Sequence, residues 1–141
     1  MRFKDFLAFL LTLLAILVVI AGLIFEVVTL FAEKSCEDYS LFLIPEETKI
    51  NVEVGKGKLV KLKAVNAGEF IDKYEVEVDG PDWIVVKPES FSLEPEGMKT
   101  IFLYISPELG SEGKYEATVT VKSDCVQKSQ RIDIGVLSNF E

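Results

Sequence analysis

Cys36 and Cys125 are the side chains best suited to covalent or redox chemistry, and they are the only cysteines. They lie far apart, with no C-x-x-C spacing, and the chain of 141 residues contains no His. A redox pair or soft-metal site would need closer spacing or further ligands. An even cysteine count outside a membrane points to an intrachain disulfide, with intermolecular bridges as the alternative. Such a bridge closes a loop of about 90 residues and is worth roughly 4–5 kcal/mol by chain entropy. Without His there is no imidazole base and no His-based metal site. Glu46 and Glu47 could be imagined as the acid and base of a glycosidase, but charge-rich strand faces account for them equally well. No D-x-D-x-D-G calcium loop and no N-x-S/T glycosylation site occurs. Trp83 could form a ligand platform; a lone Trp in a small β domain more often fills the core. The expectation is a chain without catalytic, cofactor-binding or metal-binding residues, and not an enzyme.

Glu26 is the remaining singular residue, and its meaning depends on the segment around it. Residues 6–25 read FLAFLLTLLAILVVIAGLIF, twenty positions without a charge. At 1.5 Å per residue they span about 30 Å, the thickness of a bilayer core. The run continues past Glu26 to Ala32. A cleaved signal peptide is the rival reading. Its apolar core would be shorter, and Leu30-Phe31-Ala32 is a poor cleavage site because Leu30 is not small. Arg2 and Lys4 precede the run, whereas Lys34 follows amid Glu33, Glu37 and Asp38. Positive charge stays inside, which predicts a cytoplasmic N-terminus and an extracytoplasmic C-terminal domain. Glu26 then either sits at the outer headgroup boundary or faces a partner helix within the membrane. Ala8, Thr12 and Ala15 give only a weak helix-pairing stripe.

The predicted division is a cytoplasmic stub and transmembrane anchor over residues 1–32 and an extracytoplasmic domain over residues 33–141. The charges of residues 1–32 cancel, so the entire net charge of −8 falls on the domain. A domain this acidic is not expected to bind nucleic acid or an anionic lipid surface by charge attraction. Asn and Gln are scarce while Glu and Lys abound, a bias of proteins from hot environments. It predicts a thermophilic, archaeal source.

After Cys36 the hydrophobic pattern takes period two. The sets are Ile50/Val52/Val54, Val60/Leu62/Ala64, Tyr74/Val76/Val78, Ile101/Leu103/Ile105, Tyr115/Ala117/Val119/Val121 and Ile132/Ile134/Val136. Each predicts a strand with one buried face. Phe102 and Tyr104 make the Ile101–Ile105 strand apolar on both faces. Turn residues separate the strands at Gly55-Lys56-Gly57, Asn66-Ala67-Gly68, Asp79-Gly80-Pro81, Pro95-Glu96-Gly97 and Gly110 to Gly113. Seven to nine short strands in about 100 residues predict an all-β, immunoglobulin-like antiparallel sandwich.

Several motifs sharpen this. Val65-Asn66-Ala67-Gly68 precedes Gly80-Pro81 and Trp83; Leu93 and Pro95-Glu96-Gly97 follow; Gly113-Lys114-Tyr115 leads into Thr118-Val119-Thr120. Over roughly residues 48–123 the chain resembles the immunoglobulin-like domains found beside alpha-galactosidase catalytic domains and repeated in archaeal surface proteins. Glu96 interrupts the Pro-Gly pair usual there. The resemblance implies a core position for Trp83 and an accessory or adhesion role, not catalysis.

The functional expectation is a membrane-anchored, non-catalytic interaction module of the cell envelope. Its partner would be a surface-layer protein, a filament subunit or a membrane complex, the architecture being similar to stator-type proteins of the archaellum. Two alternatives stand. One is a carbohydrate-binding or adhesion module using Phe42, Phe70, Phe91, Phe102 and Tyr104 as a platform. The other is an accessory subunit of a membrane enzyme touching it through the helix and Glu26. If the disulfide forms, the turn Ser123-Asp124-Cys125 lies at the membrane-proximal end. The turn Gly110–Gly113 then lies at the free end, the expected contact surface.

Overall fold

The computed structural model describes residues 2–30 and 35–138. The proposed cleavage site Leu30-Phe31-Ala32, the boundary at 32/33 and the flanking Glu33 and Lys34 fall wholly or partly outside the described residues. The chain divides into two compact units, residues 1–35 and 36–141.

The first unit is one helix, α1 (Phe3–Leu30), of 28 residues and about 42 Å in length. Its apolar span, Phe3–Val28, is long enough to cross a membrane, and none of it is buried. Leu, Ile, Val and Phe point outward around the whole circumference. A helix apolar all round needs an apolar environment. Thr12 keeps its hydroxyl from lipid-like surroundings by donating to the Phe9 carbonyl (2.8 Å).

The second unit is a sandwich of nine strands: β1 (Leu41–Pro45), β2 (Lys49–Glu53), β3 (Lys58–Asn66), β4 (Asp72–Asp79), β5 (Ile84–Lys87), β6 (Ser90–Leu93), β7 (Met98–Ile105), β8 (Gly113–Lys122) and β9 (Gln127–Leu137). One sheet has the order β1-β3-β7-β5, the other β2-β9-β8-β4-β6. All ladders are antiparallel except β2–β9, which is parallel. The six inward sets of the sequence pattern form the core, with Val78 and Tyr115 half-buried at its margin. Each fully buried Leu, Ile or Val contributes about 1.5–3 kcal/mol.

Both edges of the four-stranded sheet feed the other sheet at a proline. β1 ends at Pro45 and the chain crosses to β2; β5 ends before Pro88, whose preceding bond is cis, and the chain crosses to β6. Proline has no N–H to donate and is tolerated at a sheet edge or strand end, which suits the points where the chain changes sheets.

Asn66, at the end of β3, is the knot between the layers. It is 1% exposed and makes five hydrogen bonds. Its amide donates to the Phe70 and Leu93 carbonyls (2.8 and 3.0 Å), and its side-chain oxygen accepts from the Gly68 N–H (2.9 Å). Its backbone pairs with Gly97 O and Glu96 N. Glu96, between Pro95 and Gly97, takes a left-handed conformation (φ 67°). Gly68 is required for a different reason. A Cβ there would stand 2.6 Å from the Asp38 carbonyl oxygen and 2.9 Å from the Ser40 nitrogen, backbone atoms of the segment leading into β1.

Candidate functional site

Cys36 and Cys125 are joined in a disulfide with Cα atoms 5.1 Å apart, within the reach of an S–S bridge. The Ser123 hydroxyl accepts from the N–H groups of Cys125 and Val126, shaping the turn that presents Cys125. Both thiols are thereby committed to the cross-link. The turn Gly110–Gly113 lies at the opposite end of the sandwich from Ser123–Cys125, since β8 runs the length between them.

The carboxylates first suspected of chemistry are placed at the rim. Glu46 and Glu47 are exposed between β1 and β2, and Glu47 pairs with Lys58 (3.2 Å). No group of three or more His, Cys, Asp or Glu side chains among the described residues is placed to hold a metal. Trp83 is half-buried against the core margin and meets Tyr115 edge-on (centroids 5.1 Å apart). Glu26 lies within the apolar span of α1, exposed like its neighbours.

One titratable side chain is perturbed in the interior. Tyr74 is fully buried, and burial, with the Asp72 charge adding to it, pushes its hydroxyl up to about 12. The Tyr74 hydroxyl and Asp72 Oδ2 are buried without a hydrogen-bond partner among the described residues. Asp72 Oδ1 accepts from the Lys73 N–H (2.9 Å).

The two outer faces of the sandwich differ in character. The five-stranded face is polar and largely self-paired. Lys122 bridges Glu77 (2.9 Å), and that hydrogen bond raises the ammonium above its ordinary pKa. Arg131 spans Glu116 and Asp133, with Asp133 the main cause of its raised pKa. An open groove of about 520 Å³ lies over Gly135, whose missing side chain leaves room for Asn51.

The four-stranded face is apolar with a basic middle. Strand register sets four rows across it. Leu59–Tyr104–Val85 forms one end row and Phe42–Val65–Met98 the other. Between them run Lys61–Phe102–Lys87 and Ile44–Lys63–Thr100. No acidic residue occupies any of these positions. Phe42, Phe102 and Tyr104 share this face, but Lys61 and Lys63 separate Phe42 from the other two. Phe70 lies elsewhere, in the β3–β4 turn, where it packs on Tyr39, and Phe91 is half-buried against Tyr74. The five aromatics therefore form no continuous platform.

No family model matches the chain, and no curated protein matches it either. Solved structures share its fold. The ASH/PapD-like domain 7 of human CEP192 superposes with a TM-score of 0.55 at 15% identity, covering 79% of this chain and 92% of that one. The CARDB domain of the PF1109 protein from Pyrococcus furiosus, solved with di-metal ions, gives 0.56 at 20% identity over 75% of this chain and 95% of that one. The periplasmic chaperone SfaE gives 0.52 at 16% identity, covering 72% of this chain and 59% of that one. At such identities the likeness extends to the fold alone, an immunoglobulin-like or PapD-like sandwich.

Proposed function

We propose that this chain is a membrane-anchored interaction module of the cell envelope. Helix α1 holds it in the bilayer with the N-terminus cytoplasmic and the sandwich outside. The observation that carries the reading is α1 itself: its 26-residue apolar span finds no shelter within this chain, and a bilayer supplies apolar surroundings of that length. Arg2 and Lys4 before the span set the orientation. The disulfide suits an oxidising, extracytoplasmic compartment. The sandwich supplies surface for contact with another protein, and the periplasmic chaperone SfaE shares its fold. The resemblance to domains beside alpha-galactosidase catalytic domains and in archaeal surface proteins supports an accessory role.

Native membranes provide the test. The protein should resist alkaline carbonate extraction, and protease added from outside should remove the sandwich while sparing α1. Release by carbonate, or protection of the sandwich in intact cells, would overturn the anchoring or the orientation.

A second reading is favoured by Glu26, which lies inside the described apolar span. Ionisable residues at such positions are commonly functional. Here α1 packs on a helix of a partner membrane complex, and Glu26→Leu dissociates that complex while leaving membrane insertion intact. An undisturbed complex would return Glu26 to the headgroup boundary.

A further inference from the structure

The four-stranded face contradicts the character of the chain that carries it. In a protein of net charge −8, the outward positions of these four strands carry lysines and no acid, Glu46 standing at the margin just past β1, opposite Lys61. Six of its apolar side chains are well exposed: Phe42 57%, Ile44 52%, Leu59 43%, Val85 47%, Met98 65% and Tyr104 48%. They gather in the two end rows, apart from Ile44, and bracket the lysines. Lys87 is engaged by Glu89 (3.0 Å). Lys61 and Lys63 have no ion-pair partner among the described residues, unlike Glu77, Glu116, Lys122 and Arg131 on the opposite face. Both are exposed and lie two positions apart, so their stems emerge about 7 Å from one another. A hollow of about 290 Å³ opens beside them, bordered by Ile44, Pro45 and Glu46.

Charge pattern selects among the occupants of such a face. A second copy packed face to face about a central two-fold axis would set the Lys61/Lys63 belt against itself, which is repulsive. An anionic bilayer would meet not only the lysines but also Glu46, Glu89 and Glu96 on the bordering turns, and behind them the excess acid of the domain. A protein partner of limited area can match the pattern locally. We propose that this face docks a protein segment that places Asp or Glu carboxylates on Lys61 and Lys63 and apolar side chains on the two end rows. The proposal rests on the reading of the chain as a tethered interaction module and names the surface and the partner chemistry it uses.

The test uses the full-length protein in its native membrane. A photoreactive amino acid is placed at Phe42 or Tyr104 on this face, or at Lys114 on the other face. The expected result is one cross-linked polypeptide from Phe42 and Tyr104 and none from Lys114. Its yield should fall about tenfold or more in the Lys61→Glu/Lys63→Glu double variant. It should recover when the carboxylates mapped on the partner are changed to Lys. Because both lysines are exposed, an unchanged melting temperature verifies that the variant is folded. Cross-links from Lys114 alone would overturn the assignment of the face while leaving the module reading intact. Cross-links to a second copy, or to lipid, would overturn the assigned occupant. A yield indifferent to the double variant would overturn the carboxylate contact. Silence at all three positions would remove the module reading and this inference with it.

Discussion

Removing the side chain of Asn66 should loosen the sandwich out of proportion to its size. Asn66→Ala deletes three hydrogen bonds, to Phe70 O, Leu93 O and Gly68 N, all between 2.8 and 3.0 Å. It removes a buried bond at the Leu93 carbonyl, whereas the Phe70 carbonyl, on an exposed turn, can turn to water. At about 1 kcal/mol for each of the three bonds, the loss is about 2–4 kcal/mol. For a domain near 100 residues that lowers Tm by roughly 10–20 °C. Asn66→Asp is the sharper variant. It keeps an acceptor for Gly68 but turns a carboxylate toward two carbonyl oxygens. Burial and those oxygens raise the folded-state pKa above the unfolded value of about 3.9. The native state then binds more protons than the unfolded state once pH exceeds that value, so stability is fullest below it and falls as pH rises through the folded pKa. Urea denaturation of the full-length protein in detergent, followed by tryptophan fluorescence, measures both variants. A loss under about 1 kcal/mol in Asn66→Ala, or an Asn66→Asp protein equally stable at pH 4 and pH 7, would refute the role of Asn66 as the knot between the sheets.

Reduction of Cys36–Cys125, or Cys36→Ser with Cys125→Ser, frees a loop of 89 residues in the unfolded chain and should cost about 4–5 kcal/mol; parallel urea titrations with and without reductant give the difference. Gly68→Ala must push the segment around Asp38–Ser40 aside and should cost about 1–3 kcal/mol in the same titration. Tyr74→Phe removes a buried hydroxyl with no partner among the described residues and should leave stability at neutral pH unchanged or raise it by up to about 1 kcal/mol. Because the Tyr74 hydroxyl is raised from 10.0 to about 12, its contribution to pH dependence is fully present below pH 10 and is lost as pH climbs through 12. Alkaline unfolding followed by circular dichroism should therefore shift to higher pH in Tyr74→Phe.

Much of the architecture was legible because burial imposes period two on long strands. The inward sets of β2, β3, β4, β7, β8 and β9 follow directly from alternation, down to the double-sided apolarity of β7. β1 escaped because Leu-Phe-Leu-Ile-Pro has no alternation, and β5 and β6 because four residues each around Pro88 are too few to show a period. The Asn66-Ala67-Gly68 signal announced a turn. It did not announce a link to Leu93, because that contact depends on how the sheets stack. The candidate site was the least legible part. Leu59, Val85 and Tyr104 are unremarkable singly and become one apolar row only when register sets them side by side. Sequence reasoning pointed to the Gly110–Gly113 turn; the sheet face stands out because its strand positions carry lysines and exposed apolar side chains but no acid.

The disulfide also decides how the sandwich bears a mechanical load. A pull on the chain from before Cys36 divides at that residue. One branch leads into β1, an edge strand held by a single ladder to β3. The other crosses the S–S bond to Cys125, between β8 and β9, which share ten register pairs and are flanked by β4 and β2. The covalent branch is short and stiff, so tension enters the middle of the five-stranded sheet and β1 is not peeled from its rim one hydrogen bond at a time. Reduction reroutes the same force onto β1, and the domain then unzips from that edge.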